Sequence, residues 1–399
     1  MSVSVDNPAA VLDAPSADLE WCFKPLMKFL DCIGMHMPLQ RGKISNGLSV
    51  VYSVCFYVFM CLGNVRFFLF TSSIDTVGKW TAVLSYCGFH VACAYYVSAT
   101  CVSINKHLPN LFKEFECYRE TYGSAIDNAK IRRMVKVLMC LVLSIGIFNF
   151  FTVYLTIFDS VNDQALYLIP LGYIQEDYRL IFKLAHTIYL WLLILQVNAI
   201  LGFFMICTFC ISKEYSRLHA VIKHTFGTKG GDVPSTNVID RIRRQFEDIC
   251  GLVETANDVF KHVIGSCFIA SIPVVCLMLY GFIQNDLMRE EYLVLIECMI
   301  VLLTIVAVLT LTSVVLNFKA HAGLTGLLKI EFSRWSEKDL QIMNLFVTRI
   351  TSTNIGYTVY NLFTVDSSTI LMVSTEVVDL KLSGTLLTYV FVVLQFKPN

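Results

Sequence analysis

Charged residues are scarce in this chain of 399 residues. Asp, Glu, Lys and Arg together make up 16% of the sequence, against about a quarter in soluble domains. Hydrophobic residues make up 56%, and the mean hydropathy is +0.62. The 31 basic residues balance the 31 acidic ones, so the net charge offers no attraction to nucleic acid. The composition therefore lies outside the range of soluble domains and predicts a chain whose surroundings are membrane lipid.

Signals of enzymatic chemistry are also missing from the sequence. No glycine-rich motif would cradle a phosphate, because Gly227, Gly230 and Gly231, followed by Pro234, read as a flexible linker. Paired His, Cys or carboxylate ligands at one depth are absent, as are inverted repeats. We therefore expect no enzyme, no cofactor and no metal site. Most of the 15 cysteines lie inside apolar runs, which favours reduced, buried thiols.

Six long apolar runs dominate the rest of the chain. Each has at least the roughly 20 residues that a membrane-spanning helix needs. The runs are Leu48–Phe70, Trp80–Ile104, Met134–Phe158, Leu180–Ile211, Val263–Ile283 and Tyr292–Asn317. A further segment, 367–396, begins with charged residues and then becomes apolar. The predicted fold is all-α, a polytopic membrane protein with seven transmembrane helices.

The basic residues of the connecting segments predict the orientation of these helices. Segments on the side of the N-terminus carry 23 Lys and Arg residues, whereas those on the opposite side carry four. The positive-inside rule places the richer side in the cytoplasm. Residues 1–20 also lack the basic segment and apolar core of a cleavable signal peptide. We therefore expect a cytoplasmic N-terminus and, after seven crossings, an extracellular C-terminus.

The cytoplasmic segments contain helices of their own. From Ile239 to Val263 the apolar positions alternate at spacings of three and four, a stripe that requires a partner helix. One helix should continue from about 239 to 283, although a membrane-surface amphipathic helix is the alternative. Ser336 and Asp339 have the spacing of a helix N-cap box. The predicted organisation begins with a cytoplasmic N-terminus over 1–47 and a six-helix bundle over 48–317, which includes a cytoplasmic helical extension at about 212–262. A cytoplasmic anchor helix follows over 318–366 and the seventh helix over 367–399.

The seventh helix is unusual because its clean apolar run, Leu382–Phe396, is too short to cross alone. Its 15 residues span roughly 22 Å of helix, against roughly 30 Å of bilayer core. The preceding turns, which must also enter the membrane, carry Glu376, Asp379 and Lys381. Charges at that depth are tolerated where they face protein or water. The helix therefore has the character of a pore wall.

The end of this helix also carries a family signature. Thr388-Tyr389, five apolar residues and Gln395-Phe396 match the TYhhhhhQF motif of the arthropod gustatory receptors, in the insect chemosensory receptor superfamily. The segment 361–366 and the residues Pro25, Leu26, Gly34 and Pro38 are similar to weaker patterns of that family. The resemblance implies a ligand-gated, nonselective cation channel in the plasma membrane. It also implies a homo- or heterotetramer with other gustatory receptors, which opens on binding a small-molecule tastant.

In that family the last helices of four subunits surround the pore, and the cytoplasmic helix extensions form the main anchor between the subunits. On a helical projection Gln395, Thr388 and Gly384 fall within about 20° of one another. A small, polar stripe of this kind also suits close packing against a neighbouring helix, which is the alternative. The residues predicted to line the pore are Gln395, Phe396, Thr388, Phe391, Val392, Gly384 and Lys381.

Candidate ligand contacts are polar and aromatic residues in the outer halves of the other spans. A small polar organic ligand is bound by aromatic faces with a few hydrogen-bonding groups. The candidates are His90, Asn149, Tyr154, His186, Tyr189, Trp191, Tyr280, Tyr292 and Glu297. Each could instead be a structural residue or an interfacial anchor. A carboxylate in an apolar span needs a partner, and Lys183 or His186 could supply one to Glu297.

Three other functions compete with the gustatory receptor. A seven-helix G-protein-coupled receptor would have its N-terminus outside, against the charge count. It would also carry an Asp/Glu-Arg-Tyr triplet after the third span and an Asn-Pro-x-x-Tyr motif, and neither occurs. A polytopic enzyme or transporter would need paired His, Cys or carboxylate ligands at one depth, or inverted repeats, and neither is present in the sequence. The third is an odorant-receptor-like channel of the same superfamily, from which the terminal motif separates this chain only by degree.

Overall fold

The structure is a computed structural model of the chain, and its described residues begin at Leu19 and end at Thr369. They comprise 19–36, 50–55, 58, 77–158, 175–226, 236–283, 289–327, 335–352 and 355–369. Most of the predicted first span and all of the predicted pore residues lie outside these ranges. The pore prediction therefore stays a prediction.

Long helices make up almost all of the described chain. Their bounds are α1 Leu19–Cys32, α2 Val77–Tyr122, α3 Asn128–Phe158, α4 Glu176–Phe226, α5 Thr236–Ser266, a π-helical turn Cys267–Ser271, α6 Ile272–Ile283, α7 Arg289–Leu327 and α8 Glu337–Ser352. Two short strands follow, β1 Thr358–Val359 and β2 Phe363–Thr364, paired antiparallel as a hairpin. The predicted all-α class is confirmed, with this hairpin as a small addition.

Five helical segments of the described chain are long and apolar enough to cross a membrane. They are Lys79–Tyr122, Asn128–Leu155, Glu176–Phe226, Thr236–Phe282 and Glu291–Gly323. These segments contain most or all of the second to sixth apolar runs of the sequence, so those five spans form helices as expected. A protein with this many apolar helices is a multi-pass membrane protein. The predicted total of seven is not tested by the described residues.

Several of these helices extend well beyond a bilayer. The 51 residues of α4 correspond to about 76 Å at 1.5 Å per residue, whereas the hydrocarbon core is about 30 Å thick. Likewise α5, the π-helical turn and α6 form one continuous helical segment from Thr236 to Ile283, as the apolar stripe predicts. The turn precedes Pro273, which has no N–H to give to the carbonyl one turn earlier. A π-helical turn is one way in which a helix accommodates such a break.

The apolar stripe of α5 packs inside the same chain. All eight of its positions from Ile239 to Val263 are buried. Phe246 lies edge-on to Phe346 of α8, with ring centroids 5.4 Å apart, and 6.0 Å from the ring of Tyr215 on α4. Further along, Phe260 lies 5.2 Å from Phe204 of α4. The partner helices that the stripe requires are therefore supplied by α2, α4 and α8 of this subunit.

The N-cap box at the start of α8 forms as its spacing predicts. The backbone N–H of Asp339 donates to Ser336 Oγ over 3.3 Å, and that hydroxyl donates to Asp339 Oδ2 over 2.6 Å. Thr236, the first residue of α5, donates to the other carboxylate oxygen, also over 2.6 Å. The hydrogen bonds from Ser336 and then Thr236 lower the pKa of Asp339, because they stabilise its charged form. The cap thus fastens α8 to α5.

Candidate functional site

A cavity lies where α2, α3, α4 and α7 meet. It follows from the long contacts of α4 with α3 on one side and with α7 on the other. The empty space between the lining atoms amounts to about 550 Å³ when the part that is open to the surroundings is included, and the room for the centre of a water-sized sphere is about 40 Å³. Twelve residues line it: Tyr86, Phe89, His90, Val153, Ile157, His186, Leu190, Ile194, Val294, Glu297, Cys298 and Val301.

Two imidazole rings form part of the cavity wall, one from α2 and one from α4. His90 and His186 are both buried, and Tyr189 lies against each of them. The Tyr189 ring is 5.6 Å from His90 at an interplanar angle of 11° and 6.0 Å from His186 at 19°. The Nδ1 of His90 is 2.6 Å from the Tyr86 carbonyl. Since a carbonyl only accepts, Nδ1 is the donor in this hydrogen bond.

The carboxyl group of the cavity comes from Glu297 on α7. Its side chain is half-buried, and the residues around the rest of the cavity are aromatic or aliphatic apart from the two imidazoles and the Cys298 thiol. Tyr86, another wall residue, donates its hydroxyl to the backbone carbonyl of Glu291 over 2.9 Å. This bond joins α2 to the first turn of α7 and so helps to fix the wall that carries Glu297.

The nine residues proposed from the sequence divide between this cavity and other places. His90, His186 and Glu297 line the cavity, and Tyr189 packs on the two imidazoles. The other five do not line it: Asn149, Tyr154, Trp191, Tyr280 and Tyr292.

The positions of three of these five have a clear structural reason. Tyr154 stacks on Phe158 along α3, with ring centroids 4.3 Å apart. Trp191 lies edge-on to Phe150 at 5.8 Å, where it packs α4 on α3. Tyr292 stacks on Phe282 at 5.8 Å and so connects the end of α6 to the start of α7. Such aromatic contacts between helices supply packing energy without forming part of a cavity.

Sequence reasoning missed the apolar part of the wall. Val153, Ile157, Leu190, Ile194 and Val301 are ordinary residues of spanning helices, and nothing in their spacing separates a cavity wall from a lipid-facing surface. Polarity was the only available signal, and it identified three of the lining residues. Tyr86 carried the same signal and could have been included, because a buried tyrosine hydroxyl needs a partner.

A second, smaller cavity lies one to two turns further along the same helices. It amounts to about 260 Å³, again including open space, and its wall includes Cys93 and Tyr96 of α2, Cys267 and Ser271 of the π-helical turn, and Leu302 of α7. The second cavity therefore extends from the neighbourhood of the first to the π-helical turn between α5 and α6. Among the residues that the structure describes, no group of three or more His, Cys, Asp or Glu could hold a metal ion.

Comparison with solved structures reveals which fold holds these cavities. The chain superimposes on the insect olfactory receptor OR5 from Machilis hrabei with a TM-score of 0.68, over 94% of this chain and 98% of that receptor. The fold is that of an insect olfactory receptor. The same receptor in complex with eugenol matches with the same score and coverage. Sequence identity is 14% in both comparisons.

The two comparisons by sequence, in contrast, found no match. No protein-family model matches the chain, and no curated protein matches it significantly. The likeness to the olfactory receptor is therefore one of fold, held by helix length, order and packing rather than by shared residues.

Proposed function

We propose that the protein is a chemosensory receptor of the gustatory type, a ligand-gated, nonselective cation channel of the plasma membrane. One observation carries the proposal: a cavity with few polar groups lies between four helices of an insect olfactory receptor fold. In this proposal a small-molecule tastant occupies the cavity formed by α2, α3, α4 and α7. The solved receptor with eugenol supports a small organic ligand. The terminal Thr388-Tyr389 to Gln395-Phe396 signature supports the gustatory branch.

The proposed channel is a homo- or heterotetramer whose pore is lined by the last helix. The stripe of Gln395, Thr388 and Gly384 supports this assignment, because a pore wall in a membrane needs small and polar positions on one face. Ligand in the cavity would shift the equilibrium between closed and open channels by binding the open form more tightly.

The first test is functional expression of the full chain alone in cells that carry a calcium reporter. Sugars, bitter alkaloids and amino acids form the ligand panel. The same panel is applied to a Val301→Phe variant, whose larger side chain fills the cavity. We expect at least one compound to open the channel and the variant to weaken that response at least tenfold. Responses that are unchanged in the variant would contradict the ligand cavity, whereas silence toward the whole panel would count against a homomeric receptor.

The pore assignment has its own test in the variant Gln395→Ala. We expect altered ion permeability or rectification at normal surface expression, because the amide would no longer face the conduction path. Val390→Ala, which shortens an apolar side chain elsewhere on the same helix, is the matched control and should leave permeability unchanged. Identical currents from Gln395→Ala and the parent channel would remove Gln395 from the pore.

Orientation offers a further test, since the receptor is proposed to have its N-terminus inside and its C-terminus outside. An N-terminal epitope should be stained only in permeabilised cells, and a C-terminal epitope also in intact cells. The reverse pattern would favour the G-protein-coupled receptor. An odorant-receptor-like channel would have the proposed topology, and it would be distinguished by responding to added volatile compounds rather than to the sugars, alkaloids and amino acids of the panel.

A further inference from the structure

The wall of the first cavity combines aromatic rings with one acidic group. Tyr86 and Phe89 of α2 and the imidazoles of His90 and His186 present ring surfaces, and Glu297 of α7 contributes a carboxyl group. Apart from the Cys298 thiol, the remaining wall is aliphatic. The cavity therefore offers a ligand a hydrophobic interior, several π faces and a single site of negative charge.

No charge within the described residues offsets this carboxyl group. Among them, no ion pair or hydrogen bond engages the Glu297 side chain. Lys183, which lies one turn before His186 on α4, is not part of the cavity wall. A carboxylate that is removed from water without a cation or donors is strongly disfavoured. Within a membrane span such a group faces a cavity and takes a partner, and an occupant of this cavity would be placed to act as that partner.

Ligand chemistry follows from this combination. An anionic ligand would meet Glu297 as a like charge, and a purely apolar ligand would bury the carboxylate without compensation. An ammonium group satisfies both parts of the wall, because it pairs with a carboxylate and is attracted to the faces of aromatic rings. The apolar remainder of the wall then holds a hydrophobic body.

We propose that this cavity binds small amines, in which a protonated amino group on an aromatic or aliphatic body pairs with Glu297. The proposal rests on the proposed function, since it assumes that the cavity is the ligand site. It narrows the ligand class from small organic molecules to hydrophobic cations of the size of an arylalkylamine. Glu297 is then the residue that selects amines over neutral molecules of the same shape.

The test compares two probes of nearly equal shape on the purified full-length receptor in nanodiscs at neutral pH. 2-Phenylethylamine carries the ammonium group, and 2-phenylethanol replaces it with a hydroxyl. Direct binding is measured by calorimetry, so that the result does not depend on channel opening. We expect the amine to bind about tenfold more tightly or better, the size of effect typical of a charge-assisted contact in place of a neutral one. Phenylacetate, the anionic counterpart, should not bind.

Two variants assign the preference to the carboxylate. Glu297→Gln keeps the shape of the side chain and should remove most of the amine preference while leaving 2-phenylethanol binding within about threefold. Glu297→Asp keeps the charge and should retain the preference, which also serves as the measurement if the glutamine variant does not fold. Cys298→Ala, at the next position of the cavity wall, is the matched control and should change both affinities by the same factor.

Several results would overturn the proposal. Equal binding of the amine and the alcohol to the parent receptor would do so, as would an equal loss of both in Glu297→Gln or no binding of the amine at all. The cavity-filling variant Val301→Phe keeps this failure distinct from failure of the proposed function. If 2-phenylethanol binds and Val301→Phe abolishes its binding, the ligand cavity stands and only the amine class falls. If either probe binds equally well to the filled variant, the ligand cavity itself is wrong.

Discussion

At the scale of residues, the hairpin before the predicted seventh helix depends on one glycine. Three residues, 360–362, connect its strands, and the first two, Tyr360 and Asn361, have positive φ, 47° and 62°, as the central residues of a type I′ turn do. This conformation is costly for tyrosine. The Tyr360 ring lies directly against Gly265, where a Cβ atom would overlap it. Its hydroxyl lies 2.9 Å from that of Tyr95 on α2, so the strained turn is held by contacts to α2 and α5.

The variant Gly265→Ala should therefore destabilise the protein, although alanine is the better helix former. The added methyl group displaces the Tyr360 ring, and overpacking of this kind costs about 1–3 kcal/mol. Thermal unfolding in detergent should show a lower midpoint. Gly251→Ala is the matched control, because no atom of the described residues lies within 4 Å of its Cβ position. That control should gain about 0.5–1 kcal/mol. A midpoint for Gly265→Ala at or above that of the parent would contradict the close contact.

At the scale of elements, the loop between α2 and α3 is fastened to α4 by a buried carboxylate. Glu214 is 1% exposed and accepts the backbone N–H of Ala125 over 2.8 Å. Arg217, one turn later on α4, donates to the Tyr122 carbonyl. Arg119 donates to the Ile126 carbonyl over 2.9 Å. Three backbone groups at this loop are therefore hydrogen-bonded to charged side chains. Hydrogen bonds to charged groups are among the stronger ones in proteins.

Replacing Glu214 with alanine should loosen this loop. The Ala125 amide loses its acceptor and Arg217 loses its nearest carboxylate, 4.0 Å away. Breaking a buried charged contact of this kind costs on the order of 3 kcal/mol. Hydrogen exchange followed by mass spectrometry should show faster exchange of the amides between 124 and 127. Glu120→Ala, which removes an exposed carboxylate from α2, should leave exchange there unchanged. Equal protection in both variants would mean that Glu214 does not hold the loop.

At the scale of the whole molecule, α1, α2, α4, α5 and α8 form one packed unit at one end of the long helices. The stripe on α5 is buried against α2, α4 and α8, and α1 covers a neighbouring part of the same core. Phe23 of α1 stacks on Phe112 of α2 at 5.6 Å and meets Phe203 of α4 edge-on at 5.5 Å. A tetramer would therefore have to use surfaces other than this stripe, which is already covered by its own chain.

A charge in the stripe should unfold the subunit rather than separate subunits. Phe246→Asp places a carboxylate at a site that is 1% exposed, and a buried, unpaired charge is strongly destabilising. Size-exclusion chromatography in detergent should show aggregated or degraded protein. Val238→Asp, at an exposed apolar position of the same helix, should give the parent profile. Folded, monodisperse subunits of Phe246→Asp that no longer assemble would instead place the stripe at a subunit interface.

Features that depend on local composition and period are predictable from the sequence. Runs of about 20 apolar residues form helices in lipid because their backbone groups must be paired internally, so five spans were predictable. The α5 stripe and the Ser336–Asp339 cap follow from spacing along one helix. The buried face of α1 has the same helical period, because Phe23 follows Leu19 by one turn and Leu30 follows Leu26 by one turn. This helix could therefore be predicted from the sequence as well, within the segment 1–47 that is predicted above only as a cytoplasmic N-terminus.

Which residues share a cavity and which helices cover one another depends on how the helices pack in the folded chain. His90, His186 and Glu297 are far apart in sequence, and they meet because α4 packs between α3 and α7 beside α2. The hairpin tip depends on a glycine about 95 positions away, and no local signal records that contact. Hydropathy specifies that a helix lies in the membrane, whereas the surface that each helix buries depends on side-chain fit between helices. That fit exists only once the chain has folded.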